Sequence, residues 1–207
     1  MKISSIFRSE KSKLEKKKMK ALKKWSDVDY CAPSPHFIKQ ACVLRNGRRG
    51  AQWVETGTFL GETTELLADH GSHVISLEPA ESLYLRAKEK FKDNPKVTLL
   101  NAASEDVFPQ LLQDIQGEVN FWLDGHYSAG DTFQGDLDTP IVDELSCIEK
   151  NLGNFDRLVV LVDDVRCFNP ALPEYSQYPS LNYLVEWANR CSLDWHIEHD
   201  MFVAKSD

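Results

Sequence analysis

The sequence predicts an α/β domain: a mostly parallel seven-stranded sheet with helices on both faces and an antiparallel hairpin at its C-terminal edge. Three observations predict it. Short apolar runs at 52–55, 73–77, 97–101, 119–123 and 158–162 alternate with helical patterns at 62–70, 80–91, 104–113, 140–151 and 180–190. Strands that alternate with helices in this way form parallel crossover units. The last two runs, 195–198 and 201–204, are too close for a crossover and fit a hairpin. Hydrophobic residues make up 42% of the 207 and charged residues 27%, which fills one core and excludes a disordered chain. No apolar run approaches the roughly 20 residues of a membrane span.

The charge is divided along the chain. The formal net charge is −8, but residues 1–24 hold ten Lys/Arg against two Glu, a balance of +8. The remainder therefore carries −16. From residue 11 to 25 this arm has few helix breakers, and Leu14, Leu22 and Trp25 fall on one helical face. One reading is a solvated leader helix docking its apolar edge on the domain. The other is peripheral contact with an anionic surface, such as lipid headgroups or a charged carrier. Nucleic acid is not expected as a partner, because the globule would repel phosphate and no nucleic-acid motif appears. The arm is assigned to 1–30 and the domain to 31–207; an oligomer formed through the arm stays open. Five scattered cysteines without a CxxC pair, and no continuous apolar segment near the N-terminus, point to a reducing, cytoplasmic setting.

Between arm and sheet, Cys31-Ala-Pro-Ser-Pro-His36 reads as a hinge, with Ser34 and Pro35 as cap and first turn of a short helix over 37–45.

The stretch from Trp53 to Thr64 is the most informative. A strand ends in Glu55, a turn carries Gly57 and Gly61, and a helix follows. Glycines there let a ligand approach the backbone. A dinucleotide fingerprint needs glycine at Phe59 and Glu62 and fails at both. Phe59 blocks a pyrophosphate, and Glu55 and Glu62 repel it, so the loop suits a ligand without phosphates. Glu78, about 20 residues on, stands where an acid takes ribose hydroxyls. A ribose, no pyrophosphate and an acidic loop describe S-adenosylmethionine, whose sulfonium is cationic.

On these residues the chain resembles the class I S-adenosylmethionine-dependent methyltransferases, with Glu55-x-Gly57-x-x-x-Gly61 as a variant of their first motif. The resemblance covers about residues 35–204 and implies a Rossmann-like fold. It places Glu55, Gly57, Thr58, Phe59, Gly61 and Thr63 around the cofactor, and Glu78 on its ribose. Adenine contact falls to Ala103 or Ser104, because the usual Gly-Asp is replaced by Asn101-Ala-Ala-Ser-Glu105.

A second constellation lies at two further strand ends. Asp124, Gly125 and His126 follow the fourth strand, and Asp163 and Asp164 follow the fifth. Ligands sit outside the carboxyl ends of parallel strands. Converging carboxylates repel unless something positive lies between them, and an all-oxygen set suits Mg²⁺ or a similar ion. The arrangement resembles the metal-dependent, macrocin-type sugar O-methyltransferases. That resemblance implies Asp124, Asp163 and Asp164 as metal ligands, with Asp124 also beside the cofactor and His126 where the family has its aspartate base. Histidine can serve as that base. A polar loop over 127–138 reads as a lid, and the aromatic stretch 168–179, with Tyr175 and Tyr178, as the other wall; Tyr127, Ser128 and Arg166 read as acceptor contacts, and the alternative for both loops is a surface loop with no ligand.

The expected activity is methyl transfer to a hydroxyl of a sugar or glycosylated small molecule, and whether a divalent ion assists it stays open. Two rivals stay open: a non-catalytic S-adenosylmethionine-binding module, and a metal-dependent hydroxylase on a related fold.

Overall fold

The computed structural model describes residues 3–125 and 139–207, with side chains from residue 12 onward. It opens with a long helix, α1 (Ile3–Ser26), then α2 (His36–Asn46). The alternating body follows: β1 (Gln52–Thr56), α3 (Glu62–His70), β2 (Val74–Leu77), α4 (Glu81–Phe91), β3 (Val97–Leu100), α5 (Ser104–Leu111), β4 (Gly117–Leu123), α6 (Ile141–Lys150) and β5 (Phe155–Val162). The chain closes with α7 (Leu181–Arg190), β6 (Asp194–Glu198) and β7 (Met201–Lys205).

The seven strands form one sheet in the order β3-β2-β1-β4-β5-β7-β6. Pairing is parallel from β3 through β5 and antiparallel for β7 on both sides. The expected sheet and its hairpin edge are both present, and every expected strand and helix after the arm falls within a few residues of its predicted bounds. The arm helix starts earlier than expected. Ser34 does not cap α2; its hydroxyl donates to the carbonyl of His199 instead.

The two faces of the sheet are filled by alternate residues of each strand, as the period of a strand requires. Val54, Phe121, Val160 and Phe202 join Phe108, Leu145, Ile148 and Trp187 from α5, α6 and α7. Their neighbours Trp53, Trp122, Val159, Leu161 and Met201 pack under Cys42, Val43, Leu67 and Ala68 of α2 and α3. Burial on both faces explains why the central strands read as continuous apolar runs.

Register sets the functional edge. Thr56 pairs with Leu77 and with Leu123, and Leu123 pairs with Val162. Each is the last residue of its strand. Gly57, Glu78, Asp124 and Asp163, the residues that follow, therefore come out side by side along one end of the sheet.

Candidate functional site

A cavity of about 610 Å³ opens at that end. Its size is that of small-molecule sites. One part is lined by Gly57, Thr58 and Phe59 of the β1–α3 turn, Thr63 in the first turn of α3, Glu78 after β2, and Ala103 and Ser104 at the start of α5. The other part is lined by Asp124, Asp163, Asp164 and Arg166, with Lys39 and His36 of α2 and Lys17 of α1.

Gly57 has φ +87°, and a Cβ there would stand 2.7 Å from the Asp124 carbonyl oxygen. Glycine is needed at 57 because two strand ends touch, whatever the ligand. Phe59 has φ +48° and a half-exposed side chain. Its backbone N–H donates to Glu78 Oε2 at 2.8 Å, and the Ala80 N–H donates to Oε1 at 3.0 Å. Two backbone donors thus fix the Glu78 carboxylate at the cavity wall. Burial raises its pKa, and the two N–H groups oppose that. Asn101 donates to the Glu78 and Pro79 carbonyls and holds the β3 end against this corner.

Two expected cofactor residues lie elsewhere. Glu55 is fully buried behind the turn and does not line the cavity. Its Oε2 accepts from Thr64 and Ser76, each at 2.6 Å. Burial pushes its carboxyl up to about 8, so Glu55 is a protonated strut between β1, β2 and α3. Gly61 also stays out of the cavity. It takes φ +67° at the start of α3, where a Cβ would meet the Phe91 ring at 2.7 Å. Its glycine serves a helix start against α4.

Ser104 lines the cavity, and its hydroxyl donates to the buried Glu144 carboxylate at 2.6 Å. Burial pushes Glu144 up to about 7, against that hydrogen bond. Glu144 fastens α6 to the start of α5 and was not anticipated.

The positive charge demanded by the aspartates comes from the chain itself. Lys39 Nζ donates to Asp163 Oδ1 and to Asp164 Oδ1, both at 2.6 Å, and lies 3.8 Å from Asp200 Oδ2. Arg166 donates to both oxygens of Asp164, at 2.5 and 2.9 Å, and also pairs with Asp200. Burial lowers the Lys39 pKa, but Asp163 and Asp164 outweigh it and the pKa is raised. Burial pushes Asp163 up, as do the neighbouring Asp124 and Asp164 carboxylates, while Lys39 opposes them. Asp164 and Asp200 both sit in left-handed backbone, at φ +56° and +66°. Strain of that kind persists where surrounding structure fixes it.

This arrangement corrects the expected metal set. Asp163 and Asp164 are already neutralised by a lysine and an arginine. Asp124, Asp163 and Asp164 also do not bring ligand atoms within 4.8 Å of one another. Among the described residues only Cys42, Glu198 and His199 do that, and there Glu198 is taken by Arg45 and Asn46. The donor set does not fit a divalent ion.

Other expectations divide. His126, Tyr127, Ser128 and the lid lie outside the described residues. Arg166 lines the cavity, but its guanidinium is committed to Asp164 and Asp200. Tyr178 is no wall of this cavity: it is buried, packed edge-on against Phe168 and Tyr175.

No family model matches the chain, and neither does any curated protein. Solved structures do. A candidate S-adenosylmethionine-dependent methyltransferase from Listeria monocytogenes aligns with TM-score 0.55 at 12% identity, over 82% of this chain and 94% of that one. The N-methyltransferase NodS from Bradyrhizobium japonicum aligns with TM-score 0.51 at 14% identity, over 81% and 93%. A candidate methyltransferase from Streptococcus mutans, in complex with SAH, aligns with TM-score 0.50 at 13% identity, over 84% and 98%. The chain has the Rossmann-like methyltransferase fold. At such identities the likeness speaks for fold, and function has to be argued from the site.

Proposed function

We propose that the chain is an S-adenosylmethionine-dependent methyltransferase that methylates a hydroxyl, on a sugar or glycosylated small molecule, without a divalent ion. The observation that carries this reading is the charge division of the cavity. The walls from the β1, β2 and β3 ends bring Glu62, Glu78 and Glu105 and no Lys or Arg; the basic side chain of the cavity nearest them is His36, whose ring lies 3.7 Å from Glu62. That half suits a cationic, phosphate-free nucleoside and disfavours a pyrophosphate.

When bound, the sulfonium supplies an electrophilic methyl group and leaves as a neutral thioether. Glu78 takes the ribose hydroxyls with the lone pairs its two backbone donors leave over. Thr58, Phe59 and Thr63 line the amino-acid end, and Ala103 and Ser104 the adenine end. Asp124 stands at the junction of the two halves, where its carboxylate favours the sulfonium. The acceptor enters the half lined by Asp163 and Lys39, and alignment there does most of the work of a one-step displacement. Asp163 accepts from a neighbouring hydroxyl of the acceptor and orients it. Lys39 holds that carboxylate in place, the task a metal was expected to perform. His126, next but one to Asp124, is the base that removes the acceptor proton.

The test is transfer of labelled methyl from S-adenosylmethionine to a panel of hydroxylated saccharides in EDTA. Label in a saccharide, undiminished by EDTA, supports the reading. Label that appears only with Mg²⁺ contradicts its metal-free half.

A further inference from the structure

We infer that α1 is a docking rod for an anionic lipid surface, set so that the surface it binds faces the mouth of the cavity. The inference stands on the surface of α1 and not on the methyltransferase reading.

Lys13, Lys17, Lys20 and Lys24 follow one another at spacings of four, three and four. At 3.6 residues per turn they lie within about 60° of one another on the helix circumference. Lys16 and Lys23 widen the stripe to about 120°. All six are exposed. Among the described residues, Lys23 alone of the six has an ion-pair partner, Asp27 at 3.0 Å. Lysines stacked at these spacings repel one another and destabilise a helix, so the stripe is not there to build the helix. An external anionic surface relieves that repulsion.

The opposite side of α1 is taken. Ala21, Leu22 and Trp25 are half-buried. The Trp25 ring packs near Tyr30 and His199, and Lys18 lies 5.6 Å over the Phe37 ring. These contacts hold the rod on the domain with its lysines outward. Lys17, midway along the stripe and at its edge nearest Ala21 and Trp25, also lines the cavity. A flat anionic surface seated on the stripe therefore meets the cavity mouth.

Two features favour lipid over nucleic acid. The stripe contains no aromatic residue on which bases could stack. It is flanked by two exposed apolar side chains, Leu14 and Met19, which suit the interfacial layer of a bilayer. The −16 carried by the rest of the chain keeps contact restricted to the rod.

The experiment is co-sedimentation of the full chain with vesicles of phosphatidylcholine, or of phosphatidylcholine mixed with phosphatidylglycerol. A single-stranded RNA oligomer is titrated in parallel. Binding to the mixed vesicles at about 0.1 M salt, lost at about 0.5 M and absent from phosphatidylcholine alone, is the expected result. The variant Lys13→Glu/Lys16→Glu/Lys20→Glu is expected to bind at least about a hundredfold more weakly. The matching Lys→Gln set is expected to fall between the two. None of these three lysines lines the cavity, and an unchanged circular dichroism spectrum and thermal midpoint serve as the folding control. No vesicle binding, equal binding to neutral vesicles, tighter binding to RNA, or full binding by the folded variant overturns the inference.

Discussion

Lys39 Nζ donates to Asp163 Oδ1 at 2.6 Å, joining a side chain from the second helix to the end of strand β5. Both side chains are about nine-tenths buried. A charge so placed is tolerated only with its partners. Removing the lysine alone, in Lys39→Met, leaves the buried Asp163 carboxylate without its cation and is expected to cost about 3–5 kcal/mol. Urea unfolding checks this. Adding Asp163→Asn and Asp164→Asn to Lys39→Met is expected to restore part of the loss. A Lys39→Met chain as stable as the parent would show that the network carries no strain on its charges.

Glu55 gives a pH dependence with a definite sign. Its folded pKa, about 8, lies above the ordinary 4.5. Between those values the unfolded chain has released a proton that the folded chain keeps, so stability falls as pH rises through that window. Glu144, at about 7, acts in the same direction. Glu55→Gln keeps an oxygen for Thr64 and Ser76 and has no proton to lose. It is expected to flatten the fall between pH 5 and 8 by several kcal/mol, on the order of 3–5. Chemical denaturation at stepped pH reads it.

Glu78 divides the cavity's two tasks. Glu78→Ala removes the proposed ribose acceptor and is expected to weaken SAH binding by roughly tenfold to a hundredfold. Asp163→Asn, in the acceptor half, is expected to change SAH affinity less than threefold or so, within about 0.6 kcal/mol. Calorimetry on both variants separates them. Equal losses would mean that the two halves are not distinct.

Gly57→Ala places a methyl group 2.7 Å from the Asp124 carbonyl oxygen in left-handed backbone. It is expected to destabilise the fold by about 2 kcal/mol and to lower cofactor affinity with it. Gly153→Ala, where a Cβ meets nothing within 4 Å, is the control and is expected to be near neutral.

The sheet was legible because its strands are buried on both faces and separated by helices of ordinary length. The edge that carries the site was legible for the same reason: Gly57, Glu78, Asp124 and Asp163 each follow a readable strand. Glu55 and Gly61 were read as ligand contacts because a motif fixes spacing but not direction. Glu55 points to Ser76, its neighbour in register on β2, and that register is not written in either strand alone. The source of the positive charge was missed, although a signal existed. Lys39, Cys42 and Val43 share one face of α2 and are all buried. A lysine in step with core residues needs a buried acid, and two adjacent aspartates were waiting for a cation.

The most direct test of the account is calorimetric titration of SAH, and of NAD, into the full chain in EDTA. The account predicts that SAH binds at one site, that added Mg²⁺ leaves its affinity unchanged, and that NAD does not bind. Binding of NAD in its place, or SAH binding that requires Mg²⁺, would contradict it.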